Sequence, residues 1–206
     1  MKIISHSTKF LSWAVGSDTV LQMFKSKLRG SGVLQMRHVA YSHPNKNLIL
    51  AFVERWHPET NSFHMPFGEM TITLDDVECL TGLPIVGRPI VPPPRESATR
   101  LAAEVATGLG VSEEEAEEAM EGLRGSNIKL AWLQERFQGL MASESQAEVE
   151  ASARAYMLFT FGCILFPDKT STRVNLGWLD LVTDMRQVDT YAWGAGVLAY
   201  LYRQLG

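Results

Sequence analysis

The sequence predicts a mainly α-helical protein, a single compact domain of about eight helices with one small two-stranded β-ribbon near residues 62–73. Apolar residues recur at helical spacing along most of the chain, which favours helices. Capping residues, glycines and prolines mark the ends of these segments. The chain has 206 residues, of which 46% are hydrophobic. A domain of this size buries roughly 70% of its unfolded surface, so its own core can hold it together.

The first two predicted helices lie near the N-terminus. Residues 17–29 carry apolar positions at helical spacing behind Asp18, and a Gly-Ser-Gly break follows at Gly30. Residues 33–42 fit a strand or a helix equally well. A second helix is predicted over residues 47–56 and ends before Pro58. Its apolar stripe consists of Leu48, Ile49, Phe52, Val53 and Trp56.

The ribbon and a capped helix follow directly. Residues 62–66 and 69–73 are predicted to be two extended pieces joined at Phe67 and Gly68. The hydroxyl of Thr73 is placed to cap a helix whose first turn carries acidic residues. In that helix Val77 and Leu80 are predicted to face inward, and Gly82 provides a left-handed end.

The remaining helices lie in the C-terminal half. After the rigid run Pro92–Pro94, a helix is predicted over residues 97–110. Ser112 and Glu115 form a capping box that opens an acidic helix ending at Gly122. Further helices are predicted over residues 128–137, 148–166, 176–181 and 191–205, with residues 148–166 as the longest and Asn175 as a cap.

Charge is distributed unevenly along the chain. Residues 1–58 contain eight Lys or Arg and two acidic residues, a net charge of +6. Residues 96–122 contain eight Glu and one Arg, a net charge of −7, whereas the whole chain carries −4. Both sections are typical of solvated faces. The functional alternatives are nucleic-acid contact by the first and protein contact by the second.

No assembled catalytic, cofactor or metal site is predicted. His57, His64, Glu59 and Glu69 are the candidate metal ligands, but packing beside a ribbon accounts for them better. The sequence has no phosphate-binding glycine loop and no nucleophile elbow, and its two cysteines have no C-x-x-C spacing. The most apolar run, residues 156–166, is far shorter than the roughly 20 residues that cross a bilayer, so no membrane contact is predicted.

Residues 54–89 contain four motifs. They read Glu54-Arg55-Trp56-x-Pro58-Glu59-Thr60, Phe63-His64-x-Pro66, Gly68-Glu69-Met70-Thr71-x-Thr73-Leu74-x-Asp76-Val77 and Leu80-x-Gly82-Leu83-Pro84-x-x-Gly87-x-Pro89. These motifs resemble the plant mobile domain, the MAINTENANCE OF MERISTEMS-like family that is also called aminotransferase-like. Later pieces such as Leu165-Phe166-Pro167-Asp168-Lys169 continue the match. No lysine here has a context that supports the aminotransferase label.

The resemblance implies a domain over residues 47–206, preceded by a divergent basic arm or helix over residues 1–46. Family members generally continue beyond the point that corresponds to Gly206, so we expect the C-terminal face to be incomplete or completed by a partner. The motif residues become the candidate interaction surface and structural framework.

The resemblance further implies a nuclear, transposon-derived, non-catalytic interaction module that acts in transposon silencing, gene expression and meristem maintenance. The implied partners are a phosphatase-like plant mobile domain protein or chromatin proteins, in homo- or hetero-oligomers. The alternative function is nucleic-acid binding, as in a mobile element or a domesticated transposase-like protein, through the basic N-terminal residues. A degenerate hydrolase or transposase is the third hypothesis.

Overall fold

A computed structural model describes residues 12–13, 21–39, 45–91, 102–121, 126–170 and 172–206. These residues form a mainly α-helical domain with two small antiparallel sheets, which confirms the predicted fold class. Its ten described helices are α1 (Gln22–Leu28), α2 (Met36–Val39), α3 (Lys46–Val53), α4 (Leu74–Thr81), α5 (Ala102–Leu109), α6 (Glu113–Met120), α7 (Leu130–Phe137), α8 (Gln146–Thr160), α9 (Leu179–Val182) and α10 (Trp193–Leu205). No helix among the described residues has the length and apolar character needed to cross a membrane.

Helix α8 is the centre of the core and the longest described helix, as predicted. It is buried along most of its length and continues into one π-helical turn, Phe161–Leu165, where the sequence predicts an ordinary helix. Helix α1 packs against it, with the ring of Phe24 5.7 Å from that of Tyr156. The ring centroids of Trp13 and Phe159 lie 5.0 Å apart. Trp13 and Phe24 therefore belong to the core.

The first sheet confirms the predicted ribbon and adds a third strand. Strands β1 (Trp56–His57), β2 (Ser62–Met65) and β3 (Gly68–Met70) pair in the order β1-β2-β3. The prediction that Trp56 lies in a helix is wrong, because α3 ends at Val53. The chain turns after α3, and the carbonyl of Arg55 then accepts a hydrogen bond of 2.8 Å from the backbone N–H of His64. Cross-strand pairing thus replaces the last helical turn.

A second sheet was not predicted. Strands β4 (Asn127–Lys129) and β5 (Arg173–Asn175) pair with Ile128 opposite Val174. Ile128 was predicted to begin a helix over residues 128–137, but it lies in β4, and α7 begins two residues later, at Leu130. Asn175 caps as predicted, since its side-chain oxygen accepts a hydrogen bond of 2.7 Å from Gly177 N–H.

Local capping signals are confirmed. Thr73 and Asp76 form a reciprocal capping box at the start of α4, and Ser112 and Glu115 form another at the start of α6. Gly82 ends α4 in the left-handed conformation, with φ of 69°. The predicted features at Pro92–Pro94, residues 97–101 and Gly122 lie outside the described residues.

Candidate interaction surface

The segment that follows α4 is bound by backbone hydrogen bonds to residues 190–194, which lead into α10 and include its first turn. Gly194 N–H donates to the Pro84 carbonyl over 2.8 Å, and Arg88 N–H donates to the Thr190 carbonyl over 2.8 Å. The carbonyl of Arg88 accepts from Ala192 N–H over 3.0 Å. Leu83, at the start of the segment, is fully buried. Residues 83–90 are therefore an extended segment that pairs with residues 190–194, and this pairing fixes α4 relative to α10.

Gly87 is required by this close approach. Its φ is +147°, a conformation that side chains with a Cβ rarely adopt. A Cβ at this position would lie 2.4 Å from the Thr190 carbonyl oxygen and 3.0 Å from the Ala192 nitrogen. The Gly-Leu-Pro-x-x-Gly-x-Pro motif thus has a structural explanation.

One face of the three-stranded sheet is apolar and packs on both neighbouring helices. Trp56 and Phe63 are opposite each other in the ladder, with ring centroids 4.9 Å apart. Phe52 of α3 meets Phe63 edge-on at 5.5 Å. Tyr202 of α10 lies 5.3 Å from Trp56 and donates a hydrogen bond of 2.6 Å to the Ile72 carbonyl. The sheet is therefore held between α3 and the end of α10.

The opposite face of the sheet carries a polar cluster. The rings of His57 and His64 stack with centroids 3.8 Å apart. One carboxylate oxygen of Glu69 lies 3.1 Å from His64 Nε2, and the other accepts a hydrogen bond of 3.0 Å from the Ser62 hydroxyl. The Ser62 hydroxyl is also 2.7 Å from that of Thr60. Because both Glu69 oxygens have partners within the sheet, this cluster orders the outer face of the ribbon.

The four candidate metal ligands do not form a metal site in the described residues. His57, His64 and Glu69 lie together, but within the described residues no three His, Cys, Asp or Glu side chains are placed to hold a metal ion. Glu59 lies in the exposed turn between β1 and β2. The interpretation of these residues as packing and hydrogen-bonding groups thus fits the geometry.

Asp76 has a structural role at the start of α4. Its carboxylate accepts hydrogen bonds from both the backbone N–H and the hydroxyl of Thr73, over 2.8 and 2.7 Å. The backbone hydrogen bond, followed by that from the hydroxyl, lowers the pKa of Asp76. The charged form therefore completes the cap.

The other predicted surface residues occupy turns around the sheet. Glu54 and Arg55 are exposed in the turn after α3, and the Arg55 guanidinium donates to the Ala51 carbonyl. Pro58 and Thr60 are exposed between β1 and β2. Pro66 and Gly68 flank the tip of the β2–β3 hairpin, and Pro89 is exposed beside Arg88. The structure therefore gathers residues 54–76 around one sheet and places residues 82–89 along α10.

Exposed apolar side chains concentrate in this part of the molecule. In the described residues, eight of the ten exposed large hydrophobic side chains lie in residues 48–91, which we call the motif region. They are Leu48, Ile49, Phe67, Met70, Leu74, Leu80, Val86 and Val91. The motif region therefore supplies most of the exposed apolar side chains of the described residues, and exposed apolar surface is what protein-interaction sites use where such side chains are contiguous.

Two predictions of burial are wrong here. Leu80 was expected to face inward but is 69% exposed, because α4 buries Val77 alone. Leu48, in the predicted stripe, is 56% exposed, and α3 has no fully buried residue. Phe67, at the hairpin tip, is 80% exposed and was not predicted as an interaction residue. Its position between Pro66 and Gly68 was the available signal, since a turn residue has no core to face.

The comparisons with known proteins agree with these motifs. Residues 32–206 match the family model of the plant mobile domain. Protein MAIN-LIKE 2 of Arabidopsis thaliana is 40% identical over 201 residues, which cover 98% of this chain and 28% of the relative. Protein MAINTENANCE OF MERISTEMS of the same plant is 36% identical over 168 residues, which cover 79% of this chain and 32% of the relative.

A third relative carries the name of an enzyme. The Arabidopsis thaliana protein named serine/threonine-protein phosphatase 7 long form homolog is 35% identical over 179 residues, which cover 87% of this chain and 13% of the relative. This chain thus spans at most 32% of the length of these three relatives. No solved structure matches it.

Proposed function

Because the chain belongs to the plant mobile domain family, we propose that it is a non-catalytic protein-interaction module of transposon origin. In this proposal it acts in the nucleus, in transposon silencing and the regulation of gene expression. The observation that carries the interaction role is the exposure of Phe67 and Leu80 in the motif region. Both side chains are exposed to water in the isolated chain. A partner that covers them would remove this apolar surface from water, which is favourable.

The framework beneath these side chains supports the same role. Phe67 lies on a hairpin whose inner face packs on Phe52 and Tyr202 through Phe63 and Trp56. Leu80 lies on a helix that is capped at both ends and fixed to α10. A surface that is already ordered loses little conformational entropy on binding. The motif region therefore combines exposed apolar groups with a rigid support.

The proposed partner is a phosphatase-like protein that carries the same domain, or a chromatin protein. One relative named as a phosphatase shares 35% identity over 87% of this chain. Two copies of one domain present related surfaces, which can associate about an approximate two-fold axis. The motif region would then face its counterpart in the partner.

Affinity purification from plant nuclei tests the proposal. The double variant Phe67→Ser/Leu80→Ser removes two exposed apolar groups, and Met23→Ser, exposed on α1, is the matched control outside the motif region. We expect the wild type and Met23→Ser to recover a plant mobile domain phosphatase or a chromatin protein, and the double variant to lose it. Equal recovery by all three proteins, or recovery of no such partner, would overturn the proposal. Circular dichroism should show that all three are folded.

Two other claims of the proposal, the nuclear location and the lack of catalysis, need separate measurements. We expect a fluorescent fusion of the chain, expressed in plant cells, to accumulate in the nucleus. We expect the purified chain to show no phosphatase or nuclease turnover with or without added divalent metals. Exclusion from the nucleus would contradict the first part, and metal-dependent turnover that co-purifies with the chain would contradict the second.

A further inference from the structure

A second feature of the molecule is a cleft that shares no lining residue with the motif region. It has a volume of about 400 Å³ and lies among the residues that follow the π-helical turn, strand β5 and the end of α10. Phe166, Trp178 and Tyr200 contribute aromatic walls. Lys169, Arg173 and Arg203 contribute positive charge.

The cleft has a fixed frame. Phe166 and Trp178 stack with ring centroids 4.1 Å apart and an angle of 12° between their planes. The hydroxyl of Tyr200 donates a hydrogen bond to the Pro167 carbonyl, which joins the loop to α10. A Cβ on Gly162 of the π-helical turn would lie 2.8 Å from Leu130 Cδ2 and 3.0 Å from Val174 Cβ. The absence of a side chain there lets β5 lie against the turn.

The charged groups of the cleft do not neutralise one another. Lys169, Arg173 and Arg203 carry +3 and Asp168 carries −1, which leaves +2 in a chain whose net charge is −4. Arg173 donates from Nε to Asp168 over 3.0 Å, and its terminal nitrogens have no acceptor among the described residues. Lys169 is exposed and makes no ion pair in the described part of the chain. The guanidinium of Arg203 lies 5.3 Å from the Tyr200 ring centroid.

We propose that this cleft binds a small organic phosphate monoester of nucleotide size. A phosphate monoester carries nearly two negative charges at neutral pH, which matches the uncompensated +2 of the cleft. Arginine guanidinium groups match phosphate oxygens in geometry and charge. Ligand sites for small molecules commonly have volumes of about 300–1,000 Å³, so the cleft is large enough for a ring system as well as the phosphate.

The organic part of the ligand would contact the aromatic and amide side of the cleft. The side-chain oxygen of Asn175 accepts from Gly177 N–H, so its amide nitrogen is the group that remains to donate to a ligand. A cleft of about 400 Å³ suits a small ligand better than a nucleic-acid strand, which needs a positive groove that follows its backbone. A nucleoside monophosphate combines the phosphate, the ring system and the size.

Calorimetric titration of the whole chain with adenosine 5′-monophosphate at low salt tests the assignment. We expect saturable one-to-one binding with a Kd below about 1 mM. The variant Lys169→Gln/Arg203→Gln should weaken it by at least about tenfold, since each lost charged hydrogen bond to phosphate has an effect of that order. Arg186→Gln is the matched control, because Arg186 is highly exposed, lies outside this cleft and pairs with Asp184.

Each outcome of this titration decides the assignment. Binding that is lost in the cleft variant and kept in Arg186→Gln, with adenosine bound far more weakly, supports it. No binding at millimolar ligand, equal binding of adenosine, or equal loss in both variants overturns it. A phosphoserine peptide or a single-stranded oligonucleotide that binds more tightly than the nucleotide would also overturn it and assign the cleft to a macromolecular partner. Thermal melting of the variants should match the wild type, because Lys169 and Arg203 are exposed.

Discussion

The contact between the segment 83–90 and the start of α10 gives a quantitative prediction about Gly87. Substituting Gly87→Ala introduces a Cβ at positive φ and also places it 2.4 Å from the Thr190 carbonyl oxygen. Gly68 has a positive φ of +130° as well, but open space surrounds the Cβ position. Gly139 also has open space, without a positive φ. Alanine substitution at Gly68 therefore measures backbone strain alone. The same substitution at Gly87 measures strain together with steric overlap, and Gly139 is the control for both.

The expected free energies of unfolding follow from these environments. Strain at a positive φ costs about 1–3 kcal/mol, which should be the whole effect of Gly68→Ala. Gly87→Ala adds the displacement of two hydrogen bonds, from Arg88 N–H to Thr190 and from Ala192 N–H to Arg88, at about 1 kcal/mol each. We therefore expect Gly87→Ala to destabilise the protein by about 3–5 kcal/mol, some 2 kcal/mol more than Gly68→Ala. Gly139→Ala should be neutral or stabilise the protein by up to about 1 kcal/mol.

Urea denaturation followed by circular dichroism measures these differences. The midpoint should fall in the order Gly139→Ala, Gly68→Ala, Gly87→Ala, and the extra 2 kcal/mol for Gly87 corresponds to about 4–8 °C in Tm. If Gly87→Ala and Gly68→Ala agree within about 0.5 kcal/mol, the claim that the segment 83–90 fixes the motif region to α10 is wrong.

Three further predictions concern the cap, pH and nucleic acid. Thr73→Ala removes the oxygen that accepts from Asp76 N–H over 3.2 Å, and the urea midpoint should report a loss of about 1 kcal/mol. Hydrogen bonds from Arg186 hold the pKa of Asp184 at about 2, below about 3.9 in the unfolded chain. The stability from this pair is therefore present above about pH 4 and lost as the pH falls towards 2, and Asp184→Asn should flatten that dependence in urea midpoints. Fluorescence anisotropy with duplex DNA should show no affinity that falls steeply with salt, and such a fall would favour the nucleic-acid alternative.

Features set by neighbouring residues were predictable from the sequence. The capping boxes at Thr73 and Ser112 and the left-handed Gly82 need only a few consecutive residues, and the structure confirms all three. Their hydrogen bonds are local, so tertiary packing has little opportunity to override them. The burial of α8 was predictable for a related reason, since its second half has almost no polar side to expose.

Features set by distant pairing were not predictable. Strand β4 pairs with β5 across more than forty residues, and three residues are too few to show a periodicity of two. Trp56 fits the apolar stripe of a helix, but its pairing with Phe63 determines its conformation. Leu80 has the right spacing from Val77, yet no element of the described part of the chain covers it. The exposed side chains of the motif region become visible only once the packing is known.

The cleft illustrates the same distinction. Asp168 and Lys169 are part of a recognisable sequence motif, but Arg173 and Arg203 are separated from each other by thirty residues. Their juxtaposition depends on the way β5 and α10 pack around the π-helical turn. No spacing rule connects them, so the positive charge at this site could not be predicted from the sequence.

Direct binding between purified proteins tests the central claim, that the motif region is a protein-interaction surface. The whole chain would be titrated with the full-length phosphatase-named relative, in parallel with Phe67→Ser/Leu80→Ser and the control Met23→Ser. The account predicts saturable binding by the wild type and the control, and at least about a tenfold weaker Kd for the double variant, because two exposed apolar anchors are lost. Equal affinity for all three proteins would contradict the assignment of the surface. No binding by the wild type would contradict the proposed partner.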